Sequence, residues 1–238
     1  MMKKFGFTLA EVLITLAIIG VVAAMTIPTL ISNYKKQLVE TRLARFYSMM
    51  NQAIKLSEVD NGPVYTWEKL NAGYVTDSDG NEDFSQPYVA TWFNKYLKPY
   101  IKILKVENIA PSVGGSINVY FLDGSAMLFN AWVISFFPVA SDLVMEFSED
   151  DNIASATGGI AGINTFAFFF NPWDNTYDNR HAYKKGIIPY SYNWDGTSEN
   201  LLEHSLYGCN PANNTGSFCT KVIQLNNWKI PSDYPYKF

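Results

Sequence analysis

The stretch Lys3-Lys4-Phe5-Gly6-Phe7-Thr8-Leu9-Ala10-Glu11 is followed at once by an apolar run, and from Val12 to Tyr34 there are 23 residues without a charged side chain. As a helix, that run is long enough to cross a hydrocarbon core of roughly 30 Å. Its flanks separate it from a secretory signal peptide, in which small residues and the cut site follow the apolar region. Here the only processing-like junction, Gly6-Phe7, precedes the run, so cleavage there keeps the apolar helix in the mature chain. Lys3 and Lys4 stay on the cytoplasmic side by the positive-inside bias, and the bulk of the chain after Lys35 is expected to face outward.

Glu11 is the isolated acid of this segment. A carboxylate one turn into an apolar helix costs about 2.5–3.5 kcal/mol on insertion scales, so it needs a partner, an interface or a function. Cleavage at Gly6-Phe7 would create a partner in the Phe7 α-amine, which could pair with Glu11 of its own chain or of a packed neighbour. Pairing between neighbours would also fix the axial stagger of one helix against the next. The plainer alternative is a signal anchor whose Glu11 sits at headgroup level.

With Lys4-Phe5-Gly6, then Phe7-Thr8-Leu9-Ala10-Glu11, then an apolar helix containing Pro28, the chain resembles the class III leader and N-terminal helix of type IV pilins and type II secretion pseudopilins. Phe5 departs from the lysine or arginine that many members place before the glycine. The resemblance implies that a prepilin peptidase cuts after Gly6 and methylates Phe7, and that Glu11 neutralises a neighbouring N-terminus during assembly. The implied partners are like or related pilin subunits in a helical filament, an inner-membrane assembly platform and, before assembly, the lipid bilayer. The implied location is the inner membrane, single-pass, with the N-terminus cytoplasmic and the outer domain periplasmic or extracellular.

The helix is expected to continue past the membrane. From Lys35 to Glu58 there is no proline or glycine, and Leu38, Leu43, Phe46, Met50, Ala53 or Ile54, and Ser57 follow a three/four spacing, with Lys36, Glu40, Arg42 and Lys55 off that stripe. Asp60-Asn61-Gly62-Pro63 then ends it. A helix from Phe7 to Val59 has 53 residues and a length of about 80 Å. Pro28 and Gly20 interrupt it, and a kink or local melting is expected over Ala24–Pro28. The expected organisation is therefore a leader at 1–6, a transmembrane or filament-core helix at 7–34, its amphipathic continuation at 35–62, and an extracytoplasmic globular domain at 63–238.

In the outer domain, Trp67-Glu68-Lys69-Leu70 reads as a short helix or turn, Gly73 to Gln86 as a polar loop, and Phe84 to Leu104 as an aromatic-rich helix divided near Pro99. Strands are expected at 116–122 and 126–134 around an Asp123-Gly124-Ser125 turn, then at 143–147 and 165–170, forming an antiparallel sheet against the stem. One long helix followed by a meander is an α+β, pilin-like arrangement. Asp77, Asp79 and Asp83 surround a glycine as calcium loops do, without the terminal bidentate glutamate, and Glu149-Asp150-Asp151 form a second acidic turn. Solvated turns explain both, so no cofactor is expected and structural calcium is the only ion considered.

The tail reads as irregular, with a short element and an extended end over 218–231. Its cysteines, Cys209 and Cys219, enclose nine residues. In a domain outside the cytoplasm they are expected to form one disulfide, as the pilin resemblance also implies, with two free thiols as the alternative. The formal charge of −4 includes the two leader lysines, whose removal leaves −6, which argues against a nucleic-acid partner. His181 and His204 stand in no ligand or triad pattern, and neither a nucleophile elbow nor a phosphate loop occurs, so no enzyme is expected. Two readings stand: a filament subunit, and a signal-anchored extracytoplasmic binding or adhesion protein that does not polymerise.

Overall fold

The computed structural model describes residues 8–109, 115–148, 153–156, 159–173, 186–212 and 215–238. It divides into two compact units, residues 1–38 with 238, and residues 39–237. Both draw on α1 (Leu9–Asn61).

In the first unit the helix has no polar face. Leu13, Leu16, Ile19, Val22, Met25 and Leu30 are all more than half exposed. The helix runs unbroken through Gly20 and Pro28, so the expected local melting does not occur. Proline removes only the bond to Ala24, and the turns on either side remain intact. Thr15 and Thr26 return their hydroxyls to the carbonyls of Val12 and Val22, at 2.9 and 3.0 Å, which hides both polar groups within the helix.

In the second unit the stem buries Val39, Leu43, Phe46, Met50, Ala53, Ile54 and Ser57. This is the expected stripe with one shift, since Val39 and not Leu38 begins it. The stripe packs on a six-stranded antiparallel sheet of order β10-β9-β6-β5-β4-β3. These strands are β3 (Ile103–Ile109), β4 (Ser116–Phe121), β5 (Ala126–Asn130), β6 (Val133–Phe137), β9 (Phe166–Phe169) and β10 (Ile188–Pro189). Alternation sends Ile117, Val119, Phe129, Ile134, Phe136 and Phe168 to the stem side, where each is fully buried. Phe46 is the centre of this layer: it stacks on Phe136 at 4.2 Å and meets Phe168 and Phe121 edge-on at 5.1 and 5.9 Å. On the opposite face Ala126, Phe137 and Leu143 make a smaller cluster with Tyr120, Leu128 and Met145.

Several expected elements differ. The run 126–134 is two strands, because Ala131 takes a left-handed φ of 43° and Trp132 turns with it, its indole donating to the Leu70 carbonyl at 3.1 Å. The strand expected at 143–147 is β7 (Met145–Ser148), which leaves the main sheet and pairs with β8 (Ile153–Ala156). The loop expected at 73–86 is a hairpin of β1 (Tyr74–Thr76) and β2 (Glu82–Pro87). The helix expected over 84–104 shrinks to α2 (Tyr88–Tyr96), because Pro87 starts it, Pro99 falls in a single 3-10 turn at Lys98–Tyr100, and Ile103 already belongs to β3. Trp67–Leu70 has no regular structure; a 3-10 turn lies just before it at Val64–Thr66.

The tail is more ordered than its composition suggests. It holds α3 (Ser198–Glu203), capped by the Thr197 hydroxyl on the Asn200 amide, and α4 (Cys219–Leu225). After α4, Trp228 N donates to Ile223 O at 2.9 Å and Asn227 N to Gln224 O at 3.1 Å, a Schellman closure with Asn227 at φ 55°. Trp228 follows at φ 61°, and its ring lies 5.0 Å from Tyr47 of the stem. The Glu40 carboxylate then takes both the Lys229 ammonium, at 2.7 Å, and the Ile230 amide, at 2.9 Å.

Candidate assembly site

The described structure begins at Thr8, so Gly6 and Phe7 lie outside the described residues. Glu11 does not. Its carboxylate accepts from the Thr8 amide at 2.8 Å and the Thr8 hydroxyl at 2.7 Å, and the Thr8 hydroxyl accepts from the Glu11 amide at 3.3 Å. This is a reciprocal capping box, with Thr8 at the N-cap and Glu11 three positions on. The sequence carries this signal as Thr-Leu-Ala-Glu ahead of an apolar run, and the reading that gave Glu11 the Phe7 α-amine as its partner did not include it. The acid therefore has a structural partner at home before any neighbour arrives. It is also held at the amino end of α1, where the helix dipole favours negative charge.

Beyond the cap lies an apolar surface on every side. The hydropathy of the most apolar 18-residue window in α1 averages 2.3, and none of that window is buried within the chain. Such a helix requires an apolar environment, either lipid or other helices of its own kind.

The other residues singled out in the sequence lie apart from this site. Cys209 and Cys219 form the disulfide, both fully buried. The bridge joins the segment after α3 to the start of α4, and Gly162 approaches so closely that a side chain there would meet the Cys219 sulfur. Asp77 and Asp83 serve their own hairpin. The amides of Asn81 and Asp79 bond the Asp77 carboxylate at 2.8 and 2.9 Å, the Asn81 amide being the larger cause that holds this acid below the usual range. The hydroxyl and then the amide of Ser85 do the same for Asp83. Asp79 offers its backbone amide to Asp77. Among the described residues no three His, Cys, Asp or Glu side chains stand together as a metal cluster. Glu149, Asp150, Asp151 and His181 lie outside the described residues. His204 caps a turn, its Nδ1 accepting from the amides of Leu206 and Tyr207 at 3.2 Å.

Two families match this chain. A prokaryotic N-terminal methylation motif covers residues 1–27, the stretch holding Gly6, Phe7 and the capped Glu11. A family described as being of unknown function, DUF6613, covers residues 29–238, the stem and the whole globular domain. The chain belongs to the DUF6613 family. No curated protein and no solved structure matches it. The methylation motif supports a prepilin-type, type IV pilin-like or pseudopilin character for this DUF6613 member. It implies processing by a prepilin peptidase and assembly with pilin subunits, and with the apolar helix it is consistent with membrane anchoring. The DUF6613 match begins one residue after Pro28, so the two matches divide the chain within the apolar helix.

Proposed function

We propose that this protein is a structural subunit of a type IV pilus or a type II secretion pseudopilus, cut after Gly6, methylated at Phe7 and polymerised through α1. The observation that carries the reading is the methylation motif over residues 1–27 leading directly into a helix with an exposed apolar surface all round. In the membrane that surface is solvated by lipid. In the filament it is buried against the same surface of other subunits, and Glu11 exchanges or shares its Thr8 contacts with the Phe7 amine of a neighbour. The outer domain forms the filament surface, and its role is structural rather than catalytic, with no ion required.

The capping box favours one specific alternative, a signal-anchored extracytoplasmic binding protein, because it gives Glu11 a use in a helix that never polymerises. Intact-mass and N-terminal peptide analysis of the protein from its native membrane separates the two. A chain that begins with methylated Phe7 is the expected result. One that still begins at Met1 or Met2, in cells with an active prepilin peptidase, would sink the filament reading.

A further inference from the structure

We infer that the sheet face turned away from the stem carries a binding site for a neutral saccharide of one sugar ring, between β6, β9 and the disulfide loop. Val133 and Ser135 of β6 and Ala167 of β9 line a cavity of about 250 Å³. They alternate with Ile134, Phe136 and Phe168, which are buried on the stem side, so the cavity lies on the opposite face, with Ser135 paired across to Ala167. The other walls come from three further segments: Ala161 and Thr165 of the turn before β9, Tyr190 just after β10, and Thr215, Gly216 and Ser217 inside the loop closed by Cys209 and Cys219.

These walls are fixed by contacts of their own. Ala161 bridges to Thr165, and the Gly162 amide donates to the Thr165 carbonyl at 3.0 Å. Gly216, at φ 46°, lies so near this turn that a Cβ there would stand 2.9 Å from the Ala161 methyl. The Tyr190 amide donates to the Ala167 carbonyl at 3.0 Å, and its ring packs 5.4 Å from that of Tyr207. A site held in this way exists before its ligand arrives, which lowers the ordering cost of binding.

The chemistry of the lining selects the ligand. Five of the nine lining residues carry a hydroxyl, and none carries a charge. Thr215 donates its hydroxyl to the Leu206 carbonyl. Ser135, Thr165 and Ser217 are half-buried and make no side-chain hydrogen bond among the described residues. Each of these three hydroxyls both donates and accepts, as the hydroxyls of a sugar do, so each bond can run in either direction. An anion would meet no cationic side chain in the lining, and an apolar ligand would leave the three hydroxyls unpaired. The Tyr190 ring adds an apolar surface against which the C–H face of a sugar ring packs. The volume falls just short of the roughly 300–1,000 Å³ of drug-sized sites, which suits a single ring. The site lies wholly within the second unit, so its chemistry does not depend on whether the chain polymerises.

The test uses the full chain in a detergent without a sugar headgroup. Saturation-transfer difference NMR is recorded with the methyl glycosides of glucose, galactose, mannose and N-acetylglucosamine at millimolar concentration, and with N-acetylglycinamide as a neutral peptide-like probe. Transfer to the ring protons of at least one glycoside is the expected result. Ser135→Ala and Thr165→Val, each with an unchanged thermal midpoint, are expected to weaken that binding roughly tenfold. If either variant loses its fold, Ser217→Ala takes its place. No transfer to any glycoside overturns the site, and so does binding that the folded variants leave unchanged. Transfer to N-acetylglycinamide with none to the glycosides would make the ligand a peptide segment and overturn the saccharide.

Discussion

At the scale of single residues, Glu11 answers to two requirements that a substitution can separate. Capping the helix needs an acceptor at this position, which an amide oxygen also supplies, whereas pairing with a neighbour's amine needs the charge. Glu11→Gln is therefore expected to keep the protein processed and membrane-bound while abolishing filaments, and Glu11→Ala to loosen the amino end of the helix as well. Shearing filaments from cells and quantifying the membrane-held pool checks both. Phe46 tests the core in the same way. Because it is 2% exposed and touches three other phenylalanine rings, Phe46→Ala is expected to cost about 3–5 kcal/mol, read as a lowered thermal midpoint. Tyr234 donates its hydroxyl to the Gly162 carbonyl at 2.7 Å, and burial holds that phenol well above its ordinary pKa. Tyr234→Phe should then cost about 1 kcal/mol, and a neutral result in denaturant titration would show that the bond carries nothing.

At the scale of elements, the disulfide and the acidic hairpin make separable predictions. Reducing Cys209–Cys219 reopens a short loop and is expected to remove roughly 2–3 kcal/mol, measurable as a shift in denaturant midpoint between oxidised and reduced protein. In the hairpin β1–β2, the bonds from Asn81 and Ser85 hold Asp77 and Asp83 below their ordinary carboxyl values. A carboxylate depressed in the folded state stabilises above its unfolded pKa, and that contribution is lost as pH falls. Amide protection factors in residues 77–86, corrected for the intrinsic pH dependence of exchange, should therefore fall as pH drops below about 4, and unchanged protection there would contradict the assignment. Much of this architecture was legible beforehand. The stem stripe, the strands around Asp123-Gly124 and the disulfide followed from periodicity, turn chemistry and compartment. What escaped had physical reasons. The turn at Ala131-Trp132 carries no glycine or asparagine at its centre, and it is held by the indole bond to Leu70, a contact 62 positions away. The helix read over 84–104 had the right aromatic content, but Pro87 and Pro99 set its limits. The end of the tail depends on Glu40, which no local pattern connects with Lys229. In the candidate site the leader and Glu11 were evident, whereas the capping role of Thr8 went unread because the acid was treated as waiting for a partner.

At the scale of the whole molecule, the chain combines two solvent preferences: an apolar helix that water cannot solvate, and an acidic globular domain that it can. Removing Lys3 and Lys4 with the leader takes the formal charge from −4 to −6. In the proposed filament, globular domains of this charge crowded together would repel one another, and any contact between them would have to overcome that repulsion. Filament yield is accordingly expected to rise as ionic strength increases from low values, because salt screens the net charge; a steady fall over the same range would mean that attractive charge pairs dominate. The clasp on Glu40 has a consequence for how the domain is made. Its partners lie 189 and 190 positions further along the chain, so this loop closure is among the longest the polypeptide has to achieve. Synthesis proceeds from the amino end, so the stem carboxylate exists well before the distant segment that clasps it. A chain interrupted before Lys229 would lack both partners of Glu40, leaving a half-buried carboxylate on the stem with neither its ammonium nor its amide donor.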